Sequence, residues 1–480
     1  MTQVEIVLNA VSLLLGGVGL LLPTLDYTIL KQKNKNVSPY ATIATLVISL
    51  MLIGYLSNIT MSGSRHIIYG GSFQVDFYGC FFAFIATSGA ILISIASLGE
   101  ASSWTTAPSY YSLILLAVLG VYYLVFVNDL VLLLTAWTLL AVVSYVFAGV
   151  KKDENSIEGA AKYALMGIAA SALMIYAIAV VYGLAGITEI SQPASYIPLA
   201  REYTPMLLAG VMLFTAAFGF KIGVVPFHGW LPDVYGGIHP NLVAFLAGVV
   251  KVAGIAILIR IIYPLAPLLG DRWLMLFALL AIATMTFGNI VALIQRNIQR
   301  MMAYSSIAHV GYILVALSAA NSAAGGLFGL EGIALHVASY MLAKVGMFTL
   351  LAYMMRKGVS PYLDDMRGMG RFMPLNTAAM TILLLNLMGV PPLIGFWSKL
   401  YIFISVVDIA PWLTLIAILN SGVSIGYYAQ IIRYAYFGDS RKDVKEDIHD
   451  VESFVVLVTA VLTVIVGLGP AILVAPILHP

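Results

Sequence analysis

A single cysteine, Cys80, in 480 residues excludes a disulfide framework, a cysteine-built zinc site, an iron–sulfur cluster and a CxxCH haem attachment, each of which needs at least two thiols. Electron chemistry is therefore expected in another subunit. Charge is just as scarce: 10% of the residues are Asp, Glu, Lys or Arg, where a soluble domain carries roughly 25%. The two signs nearly cancel, 24 Lys and Arg against 22 Asp and Glu, so no basic patch large enough for nucleic acid is implied. Long polar stretches are missing as well. The longest connections, near 356–374 and 438–451, are too short for a soluble domain. What is abundant is apolar surface, 61% of the residues, and this composition marks a membrane protein.

A hydrocarbon core of about 30 Å takes roughly 20 apolar residues in a helix. Fourteen such runs are legible, near 4–23, 40–60, 73–98, 110–128, 129–149, 160–187, 206–228, 240–263, 273–294, 300–320, 330–355, 376–407, 411–437 and 452–475. The first begins at Glu5 without a basic region and ends at Pro23-Thr24-Leu25-Asp26 without a small-residue cleavage site, so it is expected to remain as a span. The expected fold is an all-α polytopic membrane protein of about 14 transmembrane helices.

Basic residues test that count, because Lys and Arg concentrate in cytoplasmic loops. Odd-numbered loops hold Lys31, Lys33, Lys35, Lys151, Lys152, Arg296, Arg300, Arg356, Lys357, Arg367, Arg371, Arg433, Arg441, Lys442 and Lys445; even-numbered loops hold Arg65, Arg201, Arg260 and Arg272. Fifteen against four predicts both termini on the outer side. Five basic residues remain within spans, Lys162, Lys221, Lys251, Lys344 and Lys399, and all five are lysine. Arginine stays protonated in a protein interior, whereas a desolvated lysine can give up its proton. A charge at the membrane centre costs at least about 2.5–3.5 kcal/mol, so each of these lysines is a candidate for function.

The chain carries a weak internal repeat. Ser144-Tyr145-Val146-Phe147-Ala148 is echoed by Gly311-Tyr312-Ile313-Leu314-Val315, and Val225-Pro226-Phe227 by Val390-Pro391-Pro392, at offsets of 167 and 165 residues. Two five-helix units are expected, 110–263 and 273–437, flanked by a three-helix segment at 1–109 and by a loop and last helix at 438–480. An odd number of helices per unit would make the two inverted. Both proline sites interrupt an apolar span, which predicts broken helices 7 and 12, and each lies close to a lysine, Lys221 or Lys399.

Lys251 stands ten residues past Asn241, about 15 Å along a helix, which is mid-membrane and beyond easy snorkelling. Lys221 and Lys399 gain weight from the helix breaks. Lys344 could instead pair with Glu331, and Lys162 with Glu158 four residues earlier in an ordinary helical ion pair. A buried histidine is usually a packing residue, but His228, His309 and His336 lie on or beside the lysine-bearing elements, where imidazole could pass protons. His239, at a helix entrance beside Pro240, reads as structural, and His449 and His479 as solvated. The H-x4-D pattern of His228 and Asp233 also occurs in membrane acyltransferases, but no acyl-binding motif accompanies it.

Several strings resemble the antiporter-like proton-translocating subunits of complex I, NADH:quinone oxidoreductase, most closely subunit N. Residues 156–163, SIEGAAKY, are similar to SxEAxxKY on helix 6; residues 220–235, FKIGVVPFHGWLPDVY, to FKxxxVPFHxWxPDVY across helix 7; and residues 303–312, AYSSIAHVGY, to AYSSIAHxGY on helix 10. Residues 367–370, RGMG, and 389–399, GVPPLIGFWSK, look like the family's RGLG and GxPPxxGFxxK. The resemblance implies that Lys221 accepts the proton, that Lys251 relays it and that Lys399 passes it outward, with His228, His309 and Lys344 lining the axis. It also implies a prokaryotic plasma-membrane location, homologous antiporter-like subunits and other membrane-arm subunits as neighbours, and a peripheral redox arm. Flavin, iron–sulfur clusters and quinone would be bound by partner subunits and no cofactor by this chain.

One position departs. The family usually carries a glutamate on helix 5 that pairs with the helix 7 lysine, and alignment through Ser144-Tyr145 puts Thr138 there. A threonine carries no charge, and Asp129 lies about 13.5 Å away along the helix. Two further readings stay open: a subunit of a multi-subunit cation/proton antiporter or membrane-bound hydrogenase, and a non-pumping scaffold.

Overall fold

The computed structural model describes residues 2–30, 37–61, 63–191, 203–438 and 446–470. Lys31, Lys33, Lys35, Arg201, Arg441, Lys442, Lys445 and His479 lie outside the described residues. Among the described residues the regular structure is helical apart from one short hairpin, β1 (His66–Ile68) and β2 (Phe73–Val75). This is the only arrangement besides a closed barrel that satisfies backbone polar groups in hydrocarbon.

Thirteen helices among the described residues are long and apolar enough to cross a membrane. The first six are α1 (Gln3–Leu25), α2 (Ser38–Thr60), α3 (Phe77–Ala96), α4 (Ala107–Phe126), α5 (Leu130–Ala148) and α6 (Glu154–Ala185). Next come α7 (Thr204–Ile222), the short α8 (Trp230–Gly237), α9 (Pro240–Leu269), α10 (Asp271–Leu293), α11 (Ile298–Ser318) and α12 (Ala323–Arg356). The predicted run 376–407 is two shorter apolar helices, α13 (Pro374–Met388) and α14 (Ile394–Val407), followed by α15 (Pro411–Tyr436) and α16 (Val451–Leu468).

Asp76, Asp129, Asp153, Asn297 and Ser322 accept backbone N–H bonds at the starts of α3, α5, α6, α11 and α12, satisfying groups that would otherwise be stranded at the helix ends. α7 and α13 both stop at a glycine in the left-handed region, Gly223 (φ 87, ψ 43) and Gly389 (φ 87, ψ 45). Only glycine adopts that backbone without strain, so it ends both helices in the same way.

The centre of the molecule is formed by α9, α11 and α12, whose apolar windows are buried almost all round, whereas α1, α2 and α6 bury only one side. α12, 34 residues long, would extend about 51 Å. It packs against α9, α11, α13, α14 and α16, so side chains from several elements converge on it. α9 opens into a π turn at Leu246–Val250 directly before Lys251, an irregularity that recurs at functional sites. Arg260, counted above with the loops, belongs to the last turn of the helical segment Lys251–Ile262, where its guanidinium holds Asp76 at 2.6 and 3.1 Å.

Candidate functional site

Polar side chains at helical spacing build the site. On α11, Met302, Ser305, His309 and Tyr312 follow one another every three or four residues and so share a face. On α12, His336, Tyr340 and Lys344 do the same, and the two faces meet.

Lys344 Nζ donates to the Met302 carbonyl at 2.9 Å and to the Ser305 hydroxyl at 2.8 Å. Ser305 Oγ lies 2.5 Å from the Tyr428 hydroxyl, which lies 3.1 Å from His309 Nε2. His309 Nδ1 meets His336 Nε2 at 2.9 Å, and His336 Nδ1 meets Ser398 Oγ at 3.1 Å. One amine, two hydroxyls, two imidazoles and a third hydroxyl thus follow one another from Lys344 on α12 to Ser398 on α14, and every member is buried. Each of these groups can both give and accept a proton, which a carbonyl cannot.

Lys251 joins this cluster from the side. Its Nζ donates to the Ser306 carbonyl at 3.1 Å and sits 5.5 Å from the Tyr340 ring centroid, the same distance at which Lys344 approaches that ring. The Tyr340 hydroxyl donates to Ser306 Oγ at 2.8 Å. Lys399 Nζ, beyond Ser398, donates to the Met388 carbonyl at 2.9 Å and to Ser421 Oγ at 3.0 Å, 5.1 Å from the Tyr312 ring. The Met388 carbonyl is one left unpaired where α13 stops, so the helix break and the lysine satisfy each other.

Lys221 occupies a separate chamber. Its Nζ donates to Ser144 Oγ at 3.1 Å and is surrounded by the rings of Trp137, Tyr145 and Tyr163 at 5.2–5.4 Å, within cation–π range. Among the described residues no hydrogen bond links this chamber to Lys251. Thr138 is exposed, its hydroxyl bonded to the Leu134 carbonyl at 2.7 Å, and it is Trp137 that faces Lys221. Asp129 caps α5, accepting from Val131 and Leu132 N–H at 2.8 Å each.

Other candidates fall outside the cluster. His228 is half-buried and packs on Phe287, with centroids 4.5 Å apart, and none of its described contacts is a lysine. Lys162 is exposed and bonds Glu158 at 2.8 Å, as its spacing implies. The alternative pairing of Lys344 with Glu331 fails, because thirteen residues along one straight helix separate them by about 20 Å. His239 accepts the Asn241 N–H and lies 3.1 Å from Glu100, a structural cap.

With this geometry in view, comparison decides the family. The family described as NADH:quinone oxidoreductase/Mrp antiporter, TM, matches residues 127–424. The chain belongs to this family. Subunit N of the F(420)H(2) dehydrogenase of Methanosarcina mazei is 34% identical, over 90% of this chain and 89% of that relative. NADH-quinone oxidoreductase subunit N 2 of Chloroherpeton thalassium is 33% identical, over 95% and 90%. A chain of respiratory complex I from Thermus thermophilus with bound aureothin superposes with a TM-score of 0.81 at 28% identity, over 97% of this chain and 98% of that one. The residues matched to the family run from before α5 into α15 and so contain both lysine chambers and the histidine pair. Among the described residues no group of three His, Cys, Asp or Glu could hold a metal ion.

Sequence reasoning missed Tyr428, Ser305, Ser398, Tyr340 and the cage around Lys221. Spacing would have found some of them: Ser305 and His309, like Tyr340 and Lys344, stand four apart on otherwise apolar helices.

Proposed function

We propose that this chain moves protons through its membrane interior as a membrane-arm subunit of a complex I-type respiratory quinone oxidoreductase, with the redox chemistry in partner subunits. The observation that carries this reading is the buried file from Lys344 through Ser305, Tyr428, His309 and His336 to Ser398 in a chain of this family. Lys221 would take up the proton, Lys251 would relay it into the file and Lys399 would release it outward. The relatives at 34% and 33% identity are named as dehydrogenase and quinone oxidoreductase subunits, which favours this over a cation/proton antiporter subunit.

On this reading α7 with α8, and α13 with α14, are broken helices 7 and 12, and the chain crosses fourteen times. The matching glycine stops at 223 and 389, 166 residues apart, agree with the sequence offsets and support two inverted units at 110–263 and 273–437. The units would be flanked by 1–109 and 438–480, with both termini outside a prokaryotic plasma membrane. Homologous antiporter-like subunits would adjoin the chain in the membrane arm, and a peripheral arm would hold flavin and iron–sulfur clusters and reduce quinone, from NADH or a related donor.

The test is proton pumping by the reconstituted complex carrying Lys251→Ala, with assembly measured separately. Loss of pumping in an assembled complex is expected. Normal pumping would refute the relay, and normal pumping of a set of such lysine variants would favour the scaffold reading.

A further inference from the structure

Lys221 is buried, and no carboxylate among the described residues forms an ion pair with it; its Nζ donates to Ser144 Oγ. An ammonium group left there without a compensating partner would be costly. What faces it is aromatic. Trp137, Ser144 and Tyr145 come two helical turns apart on one face of α5, and Tyr163 comes from α6. Lys221 Nζ lies over all three rings, 5.4 Å from the centroid of Trp137 and 5.2 Å from those of Tyr145 and Tyr163. The titratable groups facing it are those two tyrosines, while α9 presents Gly254 to the lysine stem, where a Cβ would come within 3.3 Å of Lys221 Cγ. A ring face is the negative end of a quadrupole, so it attracts an ammonium and is nearly indifferent to a neutral amine.

The rings are fixed by contacts of their own. Trp137 Nε1 donates to Ser171 Oγ at 3.1 Å. Tyr163 stacks on Trp230 at 4.2 Å and meets Tyr145 edge-on at 4.6 Å. Trp230 Nε1 in turn donates to the Phe220 carbonyl at 2.7 Å, beside Lys221 near the end of α7. The Tyr145 hydroxyl is buried without a hydrogen-bond partner, against Gly167, where a Cβ would collide with it. Its ring therefore serves the site and its hydroxyl does not. We infer that Trp137, Tyr145 and Tyr163 are positioning residues that form an aromatic cage in place of a carboxylate, holding the Lys221 ammonium by cation–π attraction. The inference deepens the reading of Lys221 as a proton carrier and rests on it. Such a cage favours the charged form less than an anion would, so a proton is held there and can still be released.

The test uses the intact chain in lipid nanodiscs, with lysine labelled with nitrogen-15 at Nζ and tryptophans bearing one, two or three ring fluorines introduced at position 137 alone. NMR at a single pH, chosen so that both forms are seen in the unfluorinated chain, reads the ratio of protonated to neutral Lys221 amine. The Lys221 signal is assigned by its loss in Lys221→Gln. Fluorine withdraws charge from the ring face with little change of shape, so the ratio should fall stepwise with fluorine number, by about fivefold in all. Packing alone would give no such graded response. Tyr145→Phe, which keeps the ring, should leave the ratio near wild type, and Tyr145→Leu should lower it by a similar factor. A ratio that does not move through the fluorine series overturns the proposal, as does an equal fall in Tyr145→Phe and Tyr145→Leu, which would assign the effect to the hydroxyl. Pumping is not read, so the cage can fail while the relay stands, and normal pumping by Lys251→Ala would remove the relay without altering this ratio.

Discussion

Replacing Tyr428 with phenylalanine removes one oxygen atom and, with it, the hydroxyl hydrogen-bonded to both Ser305 and His309, at 2.5 and 3.1 Å. The ring can stay, so packing among α11, α12 and α15 changes little. Ser305 keeps its bond to Lys344 at 2.8 Å, while His309 Nε2 is left unpaired in the interior. The stability cost is therefore that of one unsatisfied buried group, about 1–3 kcal/mol, which a chain of this size should survive in the assembled complex. The cost to transfer is larger. A positioned proton-transfer group is typically worth about 10²–10⁴-fold in rate; water entering the vacated space would restore part of this, so a fall of about tenfold or more in pumped protons is expected. The assay is acidification by proteoliposomes of the whole complex, with the redox rate measured under uncoupler and assembly checked on native gels. Tyr122→Phe is the matched control: its buried hydroxyl lies 2.7 Å from Thr87 Oγ1 between α4 and α3, away from the file, and pumping should stay near wild type. If Tyr428→Phe pumps as well as Tyr122→Phe in assembled complexes, the file does not carry the protons.

Thr138→Glu should assemble, because the position is exposed, and should move the pH profile of pumping by less than about one unit, since Trp137 stands between it and Lys221; an unchanged profile means that Lys221 does not sense position 138. Gly389→Ala should lower pumping in assembled complexes, because a Cβ there meets Lys399 Cδ at 2.9 Å on a backbone that costs an L-residue about 1–2 kcal/mol; wild-type pumping would show that the lysine tolerates displacement. Arg260→Gln should cost about 3–5 kcal/mol by stranding the buried Asp76, seen as a lower unfolding temperature, and an unchanged temperature would show that the pair is idle. Its pH dependence has a definite sign. Burial pushes the Asp76 carboxyl up, but Arg260 and the surrounding donors outweigh this and hold it below the usual range. In wild type that contribution is present above the unfolded value of about 3.9 and is lost as pH falls through the folded one. Without the guanidinium, burial dominates and stability should instead fall as pH rises through the carboxylate range.

The membrane class, the positions of most spans and all four buried lysines were legible because each rests on a one-dimensional signal: run length, or a charge in the middle of a run. The run 376–407 reads in sequence as one span broken near Pro391, but composition does not register which residue ends the first helix. The stop is a backbone event at Gly389, where a left-handed residue ends α13. His309 and His336 were found as candidates, but their direct contact was not, because it depends on the rotation of α11 against α12. Tyr428 was hidden for a different reason. The chain has 27 tyrosines, and only tertiary packing shows which hydroxyl is placed between two relay groups. Thr138, which the resemblance puts at the helix 5 acid position, carries no charge, yet facing direction is not a property of alignment: one residue of offset turns a helix by about 100°, and that rotation presents Trp137 to the lysine.

The proposed proton file is built from lysines without carboxylates in contact. The groups touching Lys221, Lys251, Lys344 and Lys399 among the described residues are carbonyls, hydroxyls, a thioether and aromatic rings, all of them neutral. A carbonyl accepts an N–H from an ammonium or from a neutral amine alike, so these contacts outlast deprotonation, whereas a carboxylate partner would bind the charged form far more strongly and resist its release. Charges then govern one another. Lys251 and Lys344 each stand 5.5 Å from the centre of the same Tyr340 ring, so their nitrogens are separated by no more than twice that distance. At an effective dielectric constant of about 20, two ammonium charges at that limit repel by roughly 1.5 kcal/mol, about a tenfold penalty on holding both protons. On the proposed relay, a proton arriving at Lys251 would help to expel one from Lys344 into Ser305 and the histidine pair, and a neutral lining would leave that modest repulsion uncancelled.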